Sequence, residues 1–314
     1  MVRIGTWNLE NLARPGPGSA SPDSQAAYDA KLDTLAATIT DLDPDVLAVQ
    51  EILEPAALDD LVTRLPGAWR TALAEPDARG IRVGFLSRAA LTRLAQVTDF
   101  PAGLGPVTSD DTGRVLTRLG RPALRTRVRR DRWTIDVVSV HLKSKLLTFP
   151  GGRFTPRDED ERARYAVYAL HRRAAEAAGI RAYVTRLLTE DPGSAVVVAG
   201  DLNDEPQAAT TQILHGPPGS EVGTGGFDRP DAGDAQRLWN TVGFLDEAER
   251  WSRVYRGRRE MIDHVLVSHP LIGAIEEVTT GAVDVESIGD QPSSRRNAPA
   301  SDHRPVLVHI APPP

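Results

Sequence analysis

Val196-Val197-Val198-Ala199-Gly200-Asp201-Leu202-Asn203-Asp204 changes character halfway along, from an apolar β-branched run to Gly, Asp and Asn. The run has the composition of a buried strand, and the switch marks a turn that ends it, which places carboxylates at the rim of a sheet. Side chains alternate along extended backbone. Asp201 and Asn203 are therefore expected on one side and Leu202 on the other. A carboxylate and an amide held two residues apart suit the orientation of a water or a phosphoryl oxygen. The same residue types also build plain turns.

Working outward, the pattern recurs. Val2 to Trp7 reads as a strand that ends in Asn8-Leu9-Glu10-Asn11, with Asn8 and Glu10 on one side. Tyr28, Leu32, Leu35, Ile39 and Leu42 form the stripe of an amphipathic helix stopped by Pro44. Asp45 to Glu51 is a second buried strand, and Leu58, Leu61, Val62 and Leu65 suggest a short helix behind it. Trp69 to Thr98 reads as short antiparallel strands, and Asp99 to Gly120 as a long surface loop. Pro122 to Val128 and Trp133 to Val140 suggest a hairpin turning at Arg129-Arg130-Asp131-Arg132 and ending in His141-Leu142-Lys143-Ser144-Lys145. His141 and Lys143 are expected to share a side.

Thr155-Pro156-Arg157-Asp158 predicts the start of a long helix, with Thr155 as cap and Pro156 at its first position, running to about Leu188. A short helix is expected over Glu205 to Leu214, and Gly216 to Gly233 reads as a loop. Met261 to Val267 is a strand carrying Asp263, and Ser301-Asp302-His303-Arg304-Pro305 leads into a last strand, Val306 to Ile310. Without an internal repeat or a linker, residues 1–314 read as one domain.

Composition narrows the chemistry. The 314 residues include no cysteine, so any metal is held by oxygen or imidazole. A net charge of −6 argues against a general electrostatic grip on nucleic acid. It leaves local rims as candidates, among them the arginines around Arg121 and the run from Arg250 to Arg259. No apolar stretch approaches the roughly 20 residues that cross a bilayer, so no membrane insertion is expected. The first residues read as a strand and not as a signal peptide, which suggests a cytoplasmic protein. Polar clusters stand where strands begin or end: Asn8 with Glu10, Glu51, His141, Asp201 with Asn203, Asp263, and Asp302 with His303. Carboxylates and amides without thiols suit a hard divalent cation such as Mg²⁺, with histidines for proton handling or phosphate contacts.

In order and spacing, Thr6-Trp7-Asn8, Val49-Gln50-Glu51, Val140-His141-Leu142, Gly200-Asp201-Leu202-Asn203, Ile262-Asp263 and Ser301-Asp302-His303-Arg304-Pro305 together resemble the endonuclease/exonuclease/phosphatase superfamily. The resemblance implies a four-layer α/β sandwich, two packed mixed β-sheets flanked by helices, of the deoxyribonuclease I-like kind. It implies a Mg²⁺-dependent phosphoesterase, with Mn²⁺ as a substitute. It makes Glu51 the principal metal ligand, with Asn8 and Asp302 nearby. Asp201 would orient or deprotonate the attacking water, and Asn203 would hold the scissile phosphate. His303, oriented by Asp263, would be an acid/base or phosphate-stabilising imidazole, and His141 would contact the phosphate or assist the leaving group. Lys143 and Arg121 are candidates for substrate contact.

Asp204-Glu205-Pro206 and Met261-Ile262-Asp263-His264 depart from the signatures of the inositol polyphosphate phosphatases in this superfamily. The His-Leu-Lys-Ser-Lys run resembles its bacterial nuclease-like members. The expected substrate is therefore a phosphodiester in DNA or RNA, acted on by a monomer. A small phosphorylated metabolite or lipid headgroup is the alternative substrate, and a binding protein that retains the fold is the alternative of another class.

Overall fold

The computed structural model describes residues 1–18, 20–130, 132–229, 233–289 and 291–313. Twelve of its strands build two six-stranded sheets. In chain order they are β1 (Val2–Leu12), β2 (Val46–Ile52), β3 (Arg70–Leu73), β4 (Arg82–Ser87), β5 (Ala90–Asp99), β6 (Arg118–Arg130), β7 (Trp133–His141), β8 (Ala195–Asp201), β9 (Leu238–Asn240), β10 (Asp263–Ser268), β11 (Ile275–Thr280) and β12 (Val306–Ile310). The first sheet runs β11-β12-β1-β2-β4-β3 and the second β9-β10-β8-β7-β6-β5. Each is mixed. A central parallel pair, β1 with β2 in one sheet and β7 with β8 in the other, is flanked by antiparallel neighbours.

The two-residue period of these strands produces the layers. Val2, Ile4, Val46, Ala48 and Phe85 of the first sheet pack on Leu124, Val137, Val197, Ala199 and Val265 of the second, forming the inter-sheet core. The intervening residues face outward. Trp7, Leu47 and Val49 meet Leu32, Leu35 and Ile39 of helix α1 (Gln25–Leu42) and Leu58 and Leu61 of α2 (Pro55–Thr63). Val138, Val196 and Val198 meet Ile180, Val184 and Leu188 of α3 (Glu159–Glu190). Helix, sheet, sheet and helix make the four layers that the resemblance implies.

Several local expectations shift. Asp158, and not Thr155, caps α3. Its Oδ1 accepts the Glu161 N–H at 2.7 Å while Glu161 Oε2 reaches back to the Arg157 N–H at 2.5 Å, a reciprocal arrangement that Thr155 stands too early to make. The helix after Glu205 shrinks to Ala209–Gln212. The expected loop before Gly120 contains a small hairpin, Val107–Thr108 with Val115–Leu116, and already includes the start of β6. Of the turn expected at residues 129–132, Asp131 lies outside the described residues, as do 230–232 of the Gly216–Gly233 loop.

Gly200 has a definite reason. A Cβ there would lie 1.9 Å from the Val140 carbonyl oxygen, so β7 and β8 run together one residue before Asp201 only because that position lacks a side chain.

Candidate active site

The alternation that sorts the core also delivers the site. Val2, Ile4, Thr6 and Asn8 share a parity, as do Val137, Ser139 and His141, then Val197, Ala199 and Asp201, and then Val267, Val265 and Asp263. All four rows end in polar groups at the same end of the inter-sheet core. Register puts His141 and Asp263 on either side of Asp201. Asn8 crosses from the other sheet, and its Nδ2 donates to Asp201 Oδ2 at 3.1 Å. Just beneath, Thr6, Gln50 and Ser139 form a buried polar link between the sheets.

Alternation alone would point Glu51 outward with Leu47 and Val49. Instead Glu51 has φ 61°, and the ladders to β1 and β4 both break register beside it. Such an irregularity re-aims a side chain. The Glu51 carboxylate accordingly comes within 3.9 Å of His141 Nε2 on the opposite sheet. Among the described residues six non-glycines have positive φ, and four of them, Glu10, Asn11, Glu51 and Asn203, stand at this rim. Left-handed backbone costs about 1–3 kcal/mol at such residues, and it collects where function fixes a side chain.

Asn203 likewise departs from strand alternation. β8 ends at Asp201, and with φ 55° Asn203 turns back so that its N–H donates to Asp201 Oδ1 at 2.8 Å and its Nδ2 to the Leu142 carbonyl at 3.1 Å. His303 arrives on a loop pinned from several sides. Trp7 Nε1 donates to its carbonyl at 2.8 Å, and Ser301 Oγ accepts its N–H while donating to the Asn8 carbonyl. His303 Nδ1–H donates to Asp263 Oδ2 at 2.6 Å, which leaves Nε2 facing Asp201 Oδ2 at 4.0 Å and Asp302 Oδ1 at 3.9 Å.

The electrostatics follow from burial and crowding. Burial, reinforced by the Asp263 charge, raises Asp201 to about 7. Burial pulls His303 down, but the charges of Asp263 and Asp302 prevail and raise it to about 10. His141 is pushed well below its usual range, by burial first and then by Arg121 and His303. One imidazole is thus held charged and the other neutral at the same Asp201 carboxylate, which lies 3.5 Å from His141 Nε2. Asp263 Oδ1 and His141 Nδ1 are buried without a partner.

Glu10 proves to be a support. It accepts two hydrogen bonds from Arg295 and one from the Asp302 N–H, and burial with the nearby Asp302 charge raises it to about 7. Lys31 of α1 donates to the Glu10 carbonyl and lies within electrostatic reach of Glu10, Asp302 and Glu51. Arg121 sits behind the site, spending donors on Asp77 and on the His141 carbonyl at 3.1 Å. Lys143 lies past the end of β7, so alternation no longer places it beside His141, and its ammonium donates to the carbonyls of Ser144 and Leu146. His264 is structural. Its Nε2 donates to the Asp204 carbonyl and its Nδ1 accepts from Asn240.

A hard cation suits the donors present. Glu51 accepts a single N–H, that of Asn11 at 3.0 Å, and remains part-exposed, while Asp302, like Glu51, lies within electrostatic reach of Lys31. Asp201, Asp263 and His303 also present ligand atoms within 4.8 Å of one another. There, however, the hydrogen bond between His303 and Asp263 already occupies one donor of each, so Glu51 and Asp302 offer the more open oxygen set. Lys31 and Arg295 have no polar strand-end signature in the sequence, and only the folded chain brings them here.

The fold is shared with several solved structures. Truncated TDP2 from Caenorhabditis elegans matches with TM-score 0.58 at 13% identity, covering 99% of this chain and 98% of that one. The human Nocturnin catalytic domain matches with TM-score 0.52 at 14% identity, covering 98% and 93%. A mannosyl-6-phosphatase from Bacteroides thetaiotaomicron matches with TM-score 0.56 at 13% identity, covering 99% and 100%. No protein of curated function matches the chain by sequence. The model of the Endonuclease/Exonuclease/phosphatase family matches residues 5–303, a span that takes in Asn8, Glu51, His141, Asp201, Asp263 and His303. The chain belongs to the endonuclease/exonuclease/phosphatase family and is a metal-dependent phosphoester hydrolase.

Proposed function

We propose that the chain, folded as one domain over residues 1–314, is a Mg²⁺-dependent phosphodiesterase that cleaves nucleic acid. The observation that carries this reading is the setting of Asp201: Asn8, His141 and His303 surround one carboxylate oxygen at 3.1, 3.5 and 4.0 Å. Glu51, Asn8 and Asp302 would hold the cation, with Mn²⁺ able to replace Mg²⁺. Bound there, the cation supplies Lewis-acid polarisation of a phosphoryl oxygen.

The chain's own groups supply the rest. Asp201, held near neutrality by burial, orients the attacking water and takes its proton. The Asn203 amide, fixed by its Leu142 contact, has a second N–H to give a phosphate oxygen. His303, kept charged by Asp263, presents Nε2–H to the charge that develops as water adds and the ester oxygen leaves. Neutral His141 contacts the phosphate or assists the leaving group by a hydrogen bond, and the leaving oxygen takes its proton from the His303 imidazolium or from water. Attack by water in line with the leaving oxygen needs no covalent enzyme intermediate.

A second reading, a phosphatase of small phosphorylated metabolites, is favoured by the net charge of −6. Assays of the purified protein in Mg²⁺ and in EDTA, on plasmid, single-stranded DNA, RNA, an aryl phosphodiester and an aryl phosphomonoester, separate the two. EDTA-sensitive cleavage of DNA or RNA is expected, and turnover of the monoester alone would favour the phosphatase.

A further inference from the structure

The short hairpin of Arg253–Tyr255 and Arg258–Glu260 stands beside the site and has no part in the chemistry above. Its root is tied to the reacting groups. Ser252 Oγ accepts the N–H groups of Ile262 and Asp263 at 3.1 Å each, and the Ser252 carbonyl accepts the Arg304 N–H at 2.6 Å. Arg253 itself pairs with His303 as an isolated antiparallel bridge. At the tip, Arg256 (φ 46°) and Gly257 (φ 77°) are both left-handed, the geometry of a tight two-residue reversal. The hairpin is thus a rigid arm held in register with the His303–Asp263 pair.

Arg253 stands at the root of this arm. One terminal nitrogen donates to Glu260 Oε2 at 2.8 Å, yet its Nε–H is buried without an acceptor. This unpaired donor belongs to the residue that also bridges to His303, which places it beside the reacting groups. The other oxygen of Glu260 lies 3.7 Å from Lys145 Nζ, and Lys145 is also 3.3 Å from Asp204, the neighbour of Asn203. Glu260 therefore holds together two cations from separate parts of the chain. They stand by Asn203 and His303, whereas Glu10, Glu51 and Asp302 gather around Lys31. Arg253 is near enough for its charge to act on Asp201 and Asp302. Arg258, 73% exposed although 3.5 Å from Glu205, continues the cations outward along the hairpin together with the exposed Arg256 and Arg259. In a chain with net charge −6, a polyanion needs such a local row to approach.

We infer that Arg253 and Lys145 grip the phosphate next to the scissile one on a nucleic acid strand, and that the hairpin leads the strand away from the site. This rests on the nuclease reading. A substrate with one phosphate leaves the pair unused, while a strand offers a second phosphate at every scissile position.

Steady-state kinetics on a short oligonucleotide and on an aryl phosphodiester test it. For Arg253→Met the oligonucleotide KM should rise about tenfold and the log–log salt slope should become shallower by about one, as for a lost phosphate contact. Its kcat should stay within about twofold, and kcat/KM on the aryl diester should fall far less than on the oligonucleotide. Arg253→Lys should recover part of the loss, and Arg258→Ala should show a smaller rise in KM. Lys145→Met, at a more exposed side chain, carries the same expectation and does not depend on the packing of Arg253.

Equal losses on both substrates would overturn the inference by placing these cations on the reacting phosphate. Unchanged oligonucleotide kinetics in both Arg253→Met and Lys145→Met would overturn it as well, while leaving the nuclease reading intact. A wild-type protein that hydrolyses only the phosphomonoester would remove the nuclease reading and this assignment together.

Discussion

The two ends of the inter-sheet sandwich use the same residue types in opposite ways. At the amino ends of the central strands each carboxylate has its arginines. Asp136 of β7 accepts from Arg125 and Arg127, Asp45 accepts the Arg3 N–H and pairs with Arg130, and Asp43 pairs with Arg3 and Arg88. Burial pushes Asp136 up, but hydrogen bonds from Arg127 and Arg125 outweigh it and hold the carboxyl below its usual range. At the carboxyl ends, Asp201 and Glu10 are raised to about 7 instead, and Asp263 and His141 each keep a buried polar atom without a partner. At the first end the carboxylates are matched by the chain's own arginines, although Arg125 Nε there is also buried without a partner. At the other, two carboxyls are raised to about 7, which marks it as the candidate working end.

The largest effect expected from that contrast is on turnover. Asp201→Ala and His303→Ala should each lower Mg²⁺-dependent hydrolysis by about 10²–10⁴-fold, the usual worth of a positioned acid or base, with circular dichroism unchanged. Wild-type turnover in either variant would break the contrast at once.

At the matched end the effect should fall on stability. Asp136→Asn leaves two arginines facing a neutral amide, and urea unfolding should show a loss of about 3–5 kcal/mol with kcat intact. Because the folded carboxyl is depressed, its contribution is present above its unfolded value and lost as pH falls through the folded one. The gap between variant and wild type should therefore close in acid.

Next in size is the pH dependence of cation binding. Asp201 and Glu10, raised to about 7, hold protons that a cation displaces. Affinity should thus weaken by up to about tenfold per unit for each proton displaced as pH falls below 7, with proton release visible by calorimetry in two buffers. Affinity flat from pH 5.5 to 8 would count against a strained rim.

The smallest effect has the opposite sign to the usual mutation. A carboxyl whose folded value is raised destabilises the fold above its unfolded value. Asp201→Asn should therefore stabilise the metal-free protein by about 1 kcal/mol at pH 8, and less at pH 5.

The matched end and the working end were not equally legible in the sequence. The strands that alternate cleanly, and with them Asn8, His141, Asp201 and Asp263, follow from a two-residue period. That is why the strands and most of the rim are visible in the residues, while the four layers rest on the resemblance. Glu51 and Asn203 reach their places through positive φ, which no hydrophobic pattern encodes. Lys143 and Arg121 carry attractive charge, and the fold, which no pattern shows, gives them hydrogen bonds to backbone carbonyls and Asp77. Lys31 and Arg295 look like solvated helix and loop cations until the fold brings them against Glu10. The hairpin at Arg256-Gly257 escapes notice because its turn lacks the usual Asn or Asp before glycine.

The most direct test of the working end is to titrate Mg²⁺ into protein stripped by chelation, wild type and Glu51→Gln, and to assay oligonucleotide cleavage on the same samples. Saturation of binding and of turnover at the same Mg²⁺ concentration in wild type, with both lost in Glu51→Gln and the metal-free melting temperature unchanged, is the predicted result. Cleavage that persists in EDTA, or Mg²⁺ binding by Glu51→Gln equal to that of wild type, would contradict it.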